Sequence, residues 1–383
     1  MRIRTTLVGA TALLLTAALA APAVAAGRTG NVAGNGHSAT RKAIEAQVKA
    51  GVPGVTATVR DARGTWSTTA GVGDLRTHRP RSTADRYRIG SITKTFVSTV
   101  MLQLEAEGRL SLDDTVDRWL PGVVDGHGND GSRITLRQLL NHTSGIYDYI
   151  ADPGFDADYF QKDGFFEHRY DHVAPEHLVA VAMRHAPLFE PGARWEYSNT
   201  NYVLAALVIK KATGHSYGTE VTRRIIRPLH LRATSVPGDR VTLPSPSSRS
   251  YSKLGPSAEG PAYDVTVRNP SFAYSAGEMI SDSADLDRFF GALLSGRLLP
   301  AKQLKEMKTT VRIDGVPNVR YGLALMDTTL SCGVHVWGHT GGIPGSVSTA
   351  MTTEDGRHSL ALNFNGEWTG DLNAVSEAEY CGG

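Results

Sequence analysis

The stretch Tyr87-Arg-Ile-Gly-Ser91-Ile-Thr-Lys94-Thr-Phe96-Val97-Ser-Thr-Val100-Met101-Leu-Gln-Leu104 decides how this chain is read. Phe96, Val97, Val100, Met101 and Leu104 form an apolar stripe at helical spacing, and Ser91 to Glu107 contains neither Gly nor Pro. The spacing predicts a helix opening at Ser91. Positions i and i+3 share a helix face, so the Lys94 amine reaches the Ser91 oxygen. A free serine hydroxyl is a weak nucleophile and needs such a base beside it. The plainer reading makes Ser91 only a helix N-cap.

Two further motifs follow in fixed order, Tyr197-Ser-Asn199 and His339-Thr-Gly341. The first adds a phenol that can relay a proton and an amide that can bond both a lysine and a substrate carbonyl. The second reads as a strand edge with a small residue for close backbone approach. A second Ser-x-x-Lys, Ser250 to Lys253, follows the Pro- and Ser-rich run Leu243-Pro-Ser-Pro-Ser-Ser-Arg, which is loop composition.

The ordered triple resembles the serine β-lactamase and penicillin-binding protein superfamily, whose other branches carry related motifs. Its Tyr-x-Asn and His-Thr-Gly forms are most similar to the secreted D-alanyl-D-alanine carboxypeptidase type and its D-aminopeptidase and esterase cousins. Leu139-Leu-Asn-His-Thr-Ser-Gly145, Tyr197-Ser-Asn-Thr-Asn-Tyr202 and Leu330-Ser-Cys-Gly333 extend the match over nearly the whole chain after residue 26. The resemblance implies an acyl-enzyme on Ser91, with Lys94 and Tyr197 sharing the proton traffic; which of them is the base stays open. It implies that Asn199 holds Lys94 and a substrate amide oxygen. His339 stands where many relatives have Lys, and Thr340 and Gly341 face the substrate. The backbone N–H groups of Ser91 and Gly342 form the implied oxyanion hole, typically worth a few kcal/mol to the transition state.

Two positions depart from the carboxypeptidase pattern the resemblance implies. That type has an Arg after its Tyr-Gly-Leu-Gly-Leu run and a Thr directly after His-Thr-Gly, both serving a free substrate carboxylate. Here Tyr321-Gly-Leu-Ala-Leu325 is followed by Met326, and Gly341 by Gly342. Losing a charged donor to a carboxylate costs roughly 1.5–3 kcal/mol. A nearby Arg such as Arg320 is one alternative source of charge. Otherwise the substrate shifts toward amides, esters or other D-residue peptides.

Residues 1–26 read as a signal peptide: Arg2 and Arg4, an apolar run from Leu7 to Ala20, then Ala23-Val-Ala25. Residues 27–37 form a Gly-, Asn- and Arg-rich lead expected to be disordered. The expectation is a secreted protein with no stable membrane anchor after cleavage. About 355 residues then remain, enough for one large domain or two closely joined ones. The formal net charge of +2 comes from scattered residues and makes no electrostatic case for nucleic acid. The two cysteines, Cys332 and Cys381, invite a bridge in an exported protein. Closing that loop stabilises by about 4 kcal/mol in the chain-entropy model.

Helices are expected at 39–50, 91–107, 175–183, 202–212 and 284–294, the last with Ser283 as its cap and Asp285 and Asp287 in its first turn. Strands are expected at 55–59 and 66–71, joined by a turn at Asp61-Ala-Arg-Gly64, and at 319–326, 334–338, 346–352 and 359–365. With strands at both ends and helices between, the fold class is α+β (α/β), serine β-lactamase-like: an antiparallel sheet flanked by helices with a mostly helical subdomain. The hydrolase domain covers 38–383, with sheet-containing parts at 38–109 and 265–383 and a helical insertion at 110–264. Ser91 is expected at the junction, where clefts form.

Gly214-His-Ser216-Tyr-Gly218 matches the nucleophile elbow of α/β-hydrolases. The elbow must follow a strand. The run before it, Tyr202 to Thr213, reads instead as a helix with basic residues in its last turn, Gly214 as its C-cap and Ser216 as the next N-cap. Thirteen histidines show no zinc spacing, and neither a metal nor an organic cofactor is implied. Tyr147, Tyr149, Phe272 and Tyr274 are candidates either for the cleft wall or for the core. The expected function is an exported serine hydrolase, carboxypeptidase-like. Its substrates are D-residue peptides, related amides or esters, with β-lactams as acylating ligands. The rival of another class is a non-catalytic cell-wall binder, which has no physical need for Lys94 beside Ser91.

Overall fold

The computed structural model describes residues 36–255 and 257–382, so the signal peptide expected at 1–26 and most of the lead lie outside the described residues. Eight antiparallel strands form one sheet in the order Gly64–Gly71, Gly54–Asp61, Ser359–Phe364, Ser346–Thr353, His335–Ile343, Met326–Thr329, Val319–Tyr321, Val311–Arg312. The first two strands make a hairpin in which Asp61 pairs with Gly64, placing the turn where the sequence predicts it. Gly64 takes φ 122°, open to glycine without strain.

Alternation along Ser359–Phe364 assigns the two faces of the sheet. Leu360, Leu362 and Phe364 join Val55, Ala57 and Val59 in a cluster covered by Ile44 and Val375. Those two residues come from the helices Ser38–Lys49 and Leu372–Tyr380. Ala361, opposite Ala350, faces the larger core on the other side. There the helices Thr93–Ala106 and Ser283–Leu294 pack with Phe96 and Phe289 stacked at 3.7 Å between ring centres. In Thr93–Ala106 every residue from Thr93 to Leu102 is buried. This is the central helix of the molecule, buried nearly all round although it carries Lys94 and several hydroxyl side chains.

Several local expectations are corrected. The cap of Ser283–Leu294 is Asp282, which accepts from the Asp285 amide at 2.8 Å. Ser283 is already helical, and its hydroxyl lies 2.9 Å from that of Tyr87. The strand expected over 319–326 is broken into two by a tight connection in which the Gly322 amide donates to the Leu325 carbonyl at 2.8 Å. A Cβ on Gly322 would stand 2.1 Å from the Met307 carbonyl oxygen, so the turn is pressed against the end of a neighbouring helix. Met326 therefore opens a new strand opposite Gly338. The strand expected at 334–338 runs on through the whole His-Thr-Gly motif to Ile343.

No helix among the described residues is long and apolar enough to cross a membrane. Cys332 and Cys381 are bonded, tying the last helix to the sheet with their Cα atoms 5.7 Å apart.

Candidate active site

Ser91 lies on a short 3-10 turn, Gly90–Ile92, that leads into Thr93–Ala106. Two glycines let this turn dock on the His335–Ile343 strand. A Cβ on Gly341 would stand 1.9 Å from the Ile89 carbonyl oxygen and 3.1 Å from the Ser91 nitrogen. A Cβ on Gly90, whose φ is 52°, would stand 2.7 Å from the Gly342 nitrogen. The Ser91 and Gly342 amides consequently belong to two closely apposed backbones. Beyond Gly338 the neighbouring strand Met326–Thr329 offers no pairing partner, which leaves the Thr340–Gly342 edge open beside Ser91.

Lys94 is fully buried, and its Nζ has three oxygens within hydrogen-bond reach: Ser91 Oγ at 2.9 Å, Asn199 Oδ1 at 2.7 Å and the Ala276 carbonyl at 2.7 Å. Asn199 Nδ2 donates onward to Asp148 Oδ2 at 2.9 Å. Lys94 also sits over the rings of Tyr197 and Tyr202, at 4.8 and 5.6 Å. Burial pulls its amine down to about 7, against the pull of the Asp148 carboxylate in the other direction. The same burial pushes Asp148 up, with Lys94 opposing. The Tyr197 phenol is driven far up by burial, the Ser91 hydroxyl beside it being the main counter-influence.

The structure thus brings Ser91, Lys94, Tyr197 and Asn199 together with the Thr340-Gly341-Gly342 edge. His339 differs from the expectation of a catalytic group. It is buried, its Nδ1 donates to the Thr340 carbonyl at 2.5 Å, and its Nε2 accepts from the Tyr321 hydroxyl at 2.9 Å. Burial holds it down at about 3, so it stays neutral. Both nitrogens are committed to holding the strand.

Arg320 does not supply charge to the cleft: its guanidinium donates to the Thr310 hydroxyl at 2.8 Å and to the Thr310 carbonyl at 3.2 Å. A Cβ on Gly342 would meet nothing within 4 Å. Tyr149 and Phe272 are core residues joined by a bond from the Tyr149 hydroxyl to the Phe272 carbonyl at 2.8 Å. Tyr147 stacks on His185, and Tyr274 meets Tyr217 edge-on.

The rival serine is a cap. Gly214 ends the helix Thr200–Thr213 with φ 77°, and the Ser216 hydroxyl accepts from the Thr219 amide at 3.2 Å. Lys253 is turned to the Gly260 carbonyl and the Trp368 ring. Among the described residues no group of three or more His, Cys, Asp or Glu is arranged to hold a metal ion. Sequence reasoning missed Asp148, His142 and Tyr321. His142 lay inside a quoted motif, and its Nδ1 accepts from the Ser198 amide at 3.2 Å, behind Tyr197. Asp148 carried no spacing relation to Asn199 that a linear reading could use.

The Beta-lactamase family profile matches residues 40–376. The chain belongs to the beta-lactamase family. Within this family of serine hydrolases it is 59% identical to the D-stereospecific amidohydrolase from Streptomyces sp., with a TM-score of 0.87, covering 91% of this chain and 99% of that one. It is 28% identical to the D-amino acid amidase from Ochrobactrum anthropi SV3 in its complex with D-phenylalanine, with a TM-score of 0.75 over 89% and 97% of the two chains. Among curated proteins it is 27% identical to Penicillin-binding protein 4* of Bacillus subtilis over 78% of this chain. The chain spans 64% of the length of that relative.

Proposed function

We propose that this beta-lactamase-family chain is a serine amidohydrolase that forms an acyl-enzyme on Ser91 and acts on amides of D-amino acids or D-residue peptides. The observation that carries the reading is the trio of oxygens around Lys94 Nζ. A neutral amine has two N–H bonds and one lone pair. With Asn199 Oδ1 and the Ala276 carbonyl taking the two N–H bonds, the lone pair is left for Ser91 Oγ at 2.9 Å. Lys94 then takes the Ser91 proton as Oγ attacks the carbonyl. The developing oxyanion is received by the Ser91 and Gly342 amides. Tyr197, held as a neutral phenol, passes its proton to the leaving amine and takes in return the proton that Lys94 removed from Ser91, so both side chains end the step neutral. Water then hydrolyses the acyl-enzyme with the proton path reversed.

The preference for amides rests on Met326 and Gly342, which offer no side-chain donor to a free carboxylate. The D preference is supported by the likeness to the Streptomyces amidohydrolase. β-Lactams are proposed as acylating ligands of the same serine. The basic, apolar and small-residue succession of Met1–Ala26, together with the Cys332–Cys381 bond, supports export into an oxidising compartment.

The test is kcat/KM for D- and L-phenylalanine amide, a D-Ala-D-Ala peptide and the C-terminal amide of that peptide. The reading expects D-amide over L-amide, and peptide amide over free acid. A wild-type preference for the free acid would return the protein to the carboxypeptidase type.

A further inference from the structure

We propose that Asp148 is a positioning residue: through the Asn199 carboxamide it fixes the direction and the charge of the Lys94 amine. The proposal rests on the proposed function for its catalytic consequence, but its geometry stands by itself. Asp148 Oδ2 accepts from Asn199 Nδ2 at 2.9 Å, and Asn199 Oδ1 accepts from Lys94 Nζ at 2.7 Å. A carboxamide has a donor end and an acceptor end. Turned over, Asn199 would point its NH2 group at the amine and its oxygen at the carboxylate, and both bonds would be lost. The carboxylate therefore dictates that the amine meets an acceptor. That acceptor and the Ala276 carbonyl occupy two directions at Nζ, which leaves the third for Ser91.

The carboxylate is itself tethered at its other oxygen. Asp148 caps the turn Tyr149–Ala151, its Oδ1 accepting from the Ile150 amide at 3.4 Å.

The groups around this pair come from several elements. Tyr147, Tyr149 and Tyr197 face Asp148. Tyr202, Tyr197, His142 and His339 surround Lys94. Burial drives every one of these phenols up and both imidazoles down, so all of them are neutral. Glu278, two residues beyond Ala276, is bonded by the Tyr217 hydroxyl. Asp148 is left as the carboxylate that acts on the amine. An opposite charge nearby favours the charged form of a base. Removing it makes the ammonium less favourable, so the amine stays neutral to lower pH.

The experiment follows Lys94 directly, by carbon-13 NMR of protein labelled at lysine Cε, with Lys94→Met assigning the resonance. Asp148→Asn should move the Lys94 titration midpoint down by about one pH unit. The acid limb of the acylation rate, measured with a fluorescent penicillin, should move with it. Asp148→Ala should move the midpoint likewise and also lower the plateau rate about tenfold, because the carboxamide is free to turn over. In an Asn199→Ala background, Asp148→Ala should still move the midpoint but lower the plateau no further. A purely structural Asp148 would lower the rate equally at every pH with the midpoint unmoved, and that result overturns the proposal. If the midpoint moves while the wild type is acylated by neither penicillin nor amide, the proposed function fails and the positioning role stands.

Discussion

Tyr321 donates its phenolic hydrogen to Nε2 of His339 at 2.9 Å, while Nδ1 of the same ring donates to the Thr340 carbonyl. The imidazole thus has no nitrogen left for substrate. It acts as a strut that aligns the strand edge beside Ser91. With burial holding it neutral down to about 3, it contributes nothing to titration near neutrality. His339→Asn, which keeps a short donor for the Thr340 carbonyl, should lower kcat/KM no more than about tenfold, the scale of one net hydrogen bond. The acid limb of the pH profile should not move. Loss of that limb in the variant would make His339 the base instead.

Ser91→Ala should abolish covalent labelling by a fluorescent penicillin. Ser250→Ala and Ser216→Ala should retain most of it, the latter with a stability loss of about 1 kcal/mol for the missing cap. Intact-mass analysis reads the acyl adduct directly. An adduct on the Ser91→Ala protein would remove Ser91 from the nucleophile's role.

Lys94→Met and Tyr197→Phe should each slow acylation at least about a hundredfold. Together they should cost less than the product of the two, since they serve one proton path. The active form of Lys94 is the neutral amine. Acylation in the wild type should therefore rise with pH through about 7 and level off above it. A rate that falls as pH rises through that window would require the ammonium form instead.

Met326→Arg combined with Gly342→Thr should shift preference toward free-carboxylate substrates by roughly tenfold or more, if each new bond is worth about 1 kcal/mol. Gly342 can take the change because a Cβ there meets nothing within 4 Å. Gly341→Ala is the contrasting control. Its Cβ would stand 1.9 Å from the Ile89 carbonyl oxygen, so it should disrupt the docking of the Ser91 turn and lose acylation of every substrate. Equal tolerance of the two changes would contradict the described edge.

Much of this molecule is decided by neighbours in sequence. The helix after Ser91, the reach of Lys94 back to Ser91, the Asp61–Gly64 turn and the caps at Gly214 and Ser216 depend on spacing and local backbone preference. All are legible in the linear text for that reason. Other features depend on groups that meet only after folding. The break after Tyr321 follows from the press of Gly322 against the Met307 carbonyl. The commitment of His339 follows from a tyrosine eighteen residues away, and the direction of the Asn199 carboxamide from an aspartate fifty-one residues away. A linear pattern fixes which chemical groups are available and which share a helix face. Which way a buried donor points is settled by the acceptors that packing places around it, because a buried polar group left without a partner is too costly to keep.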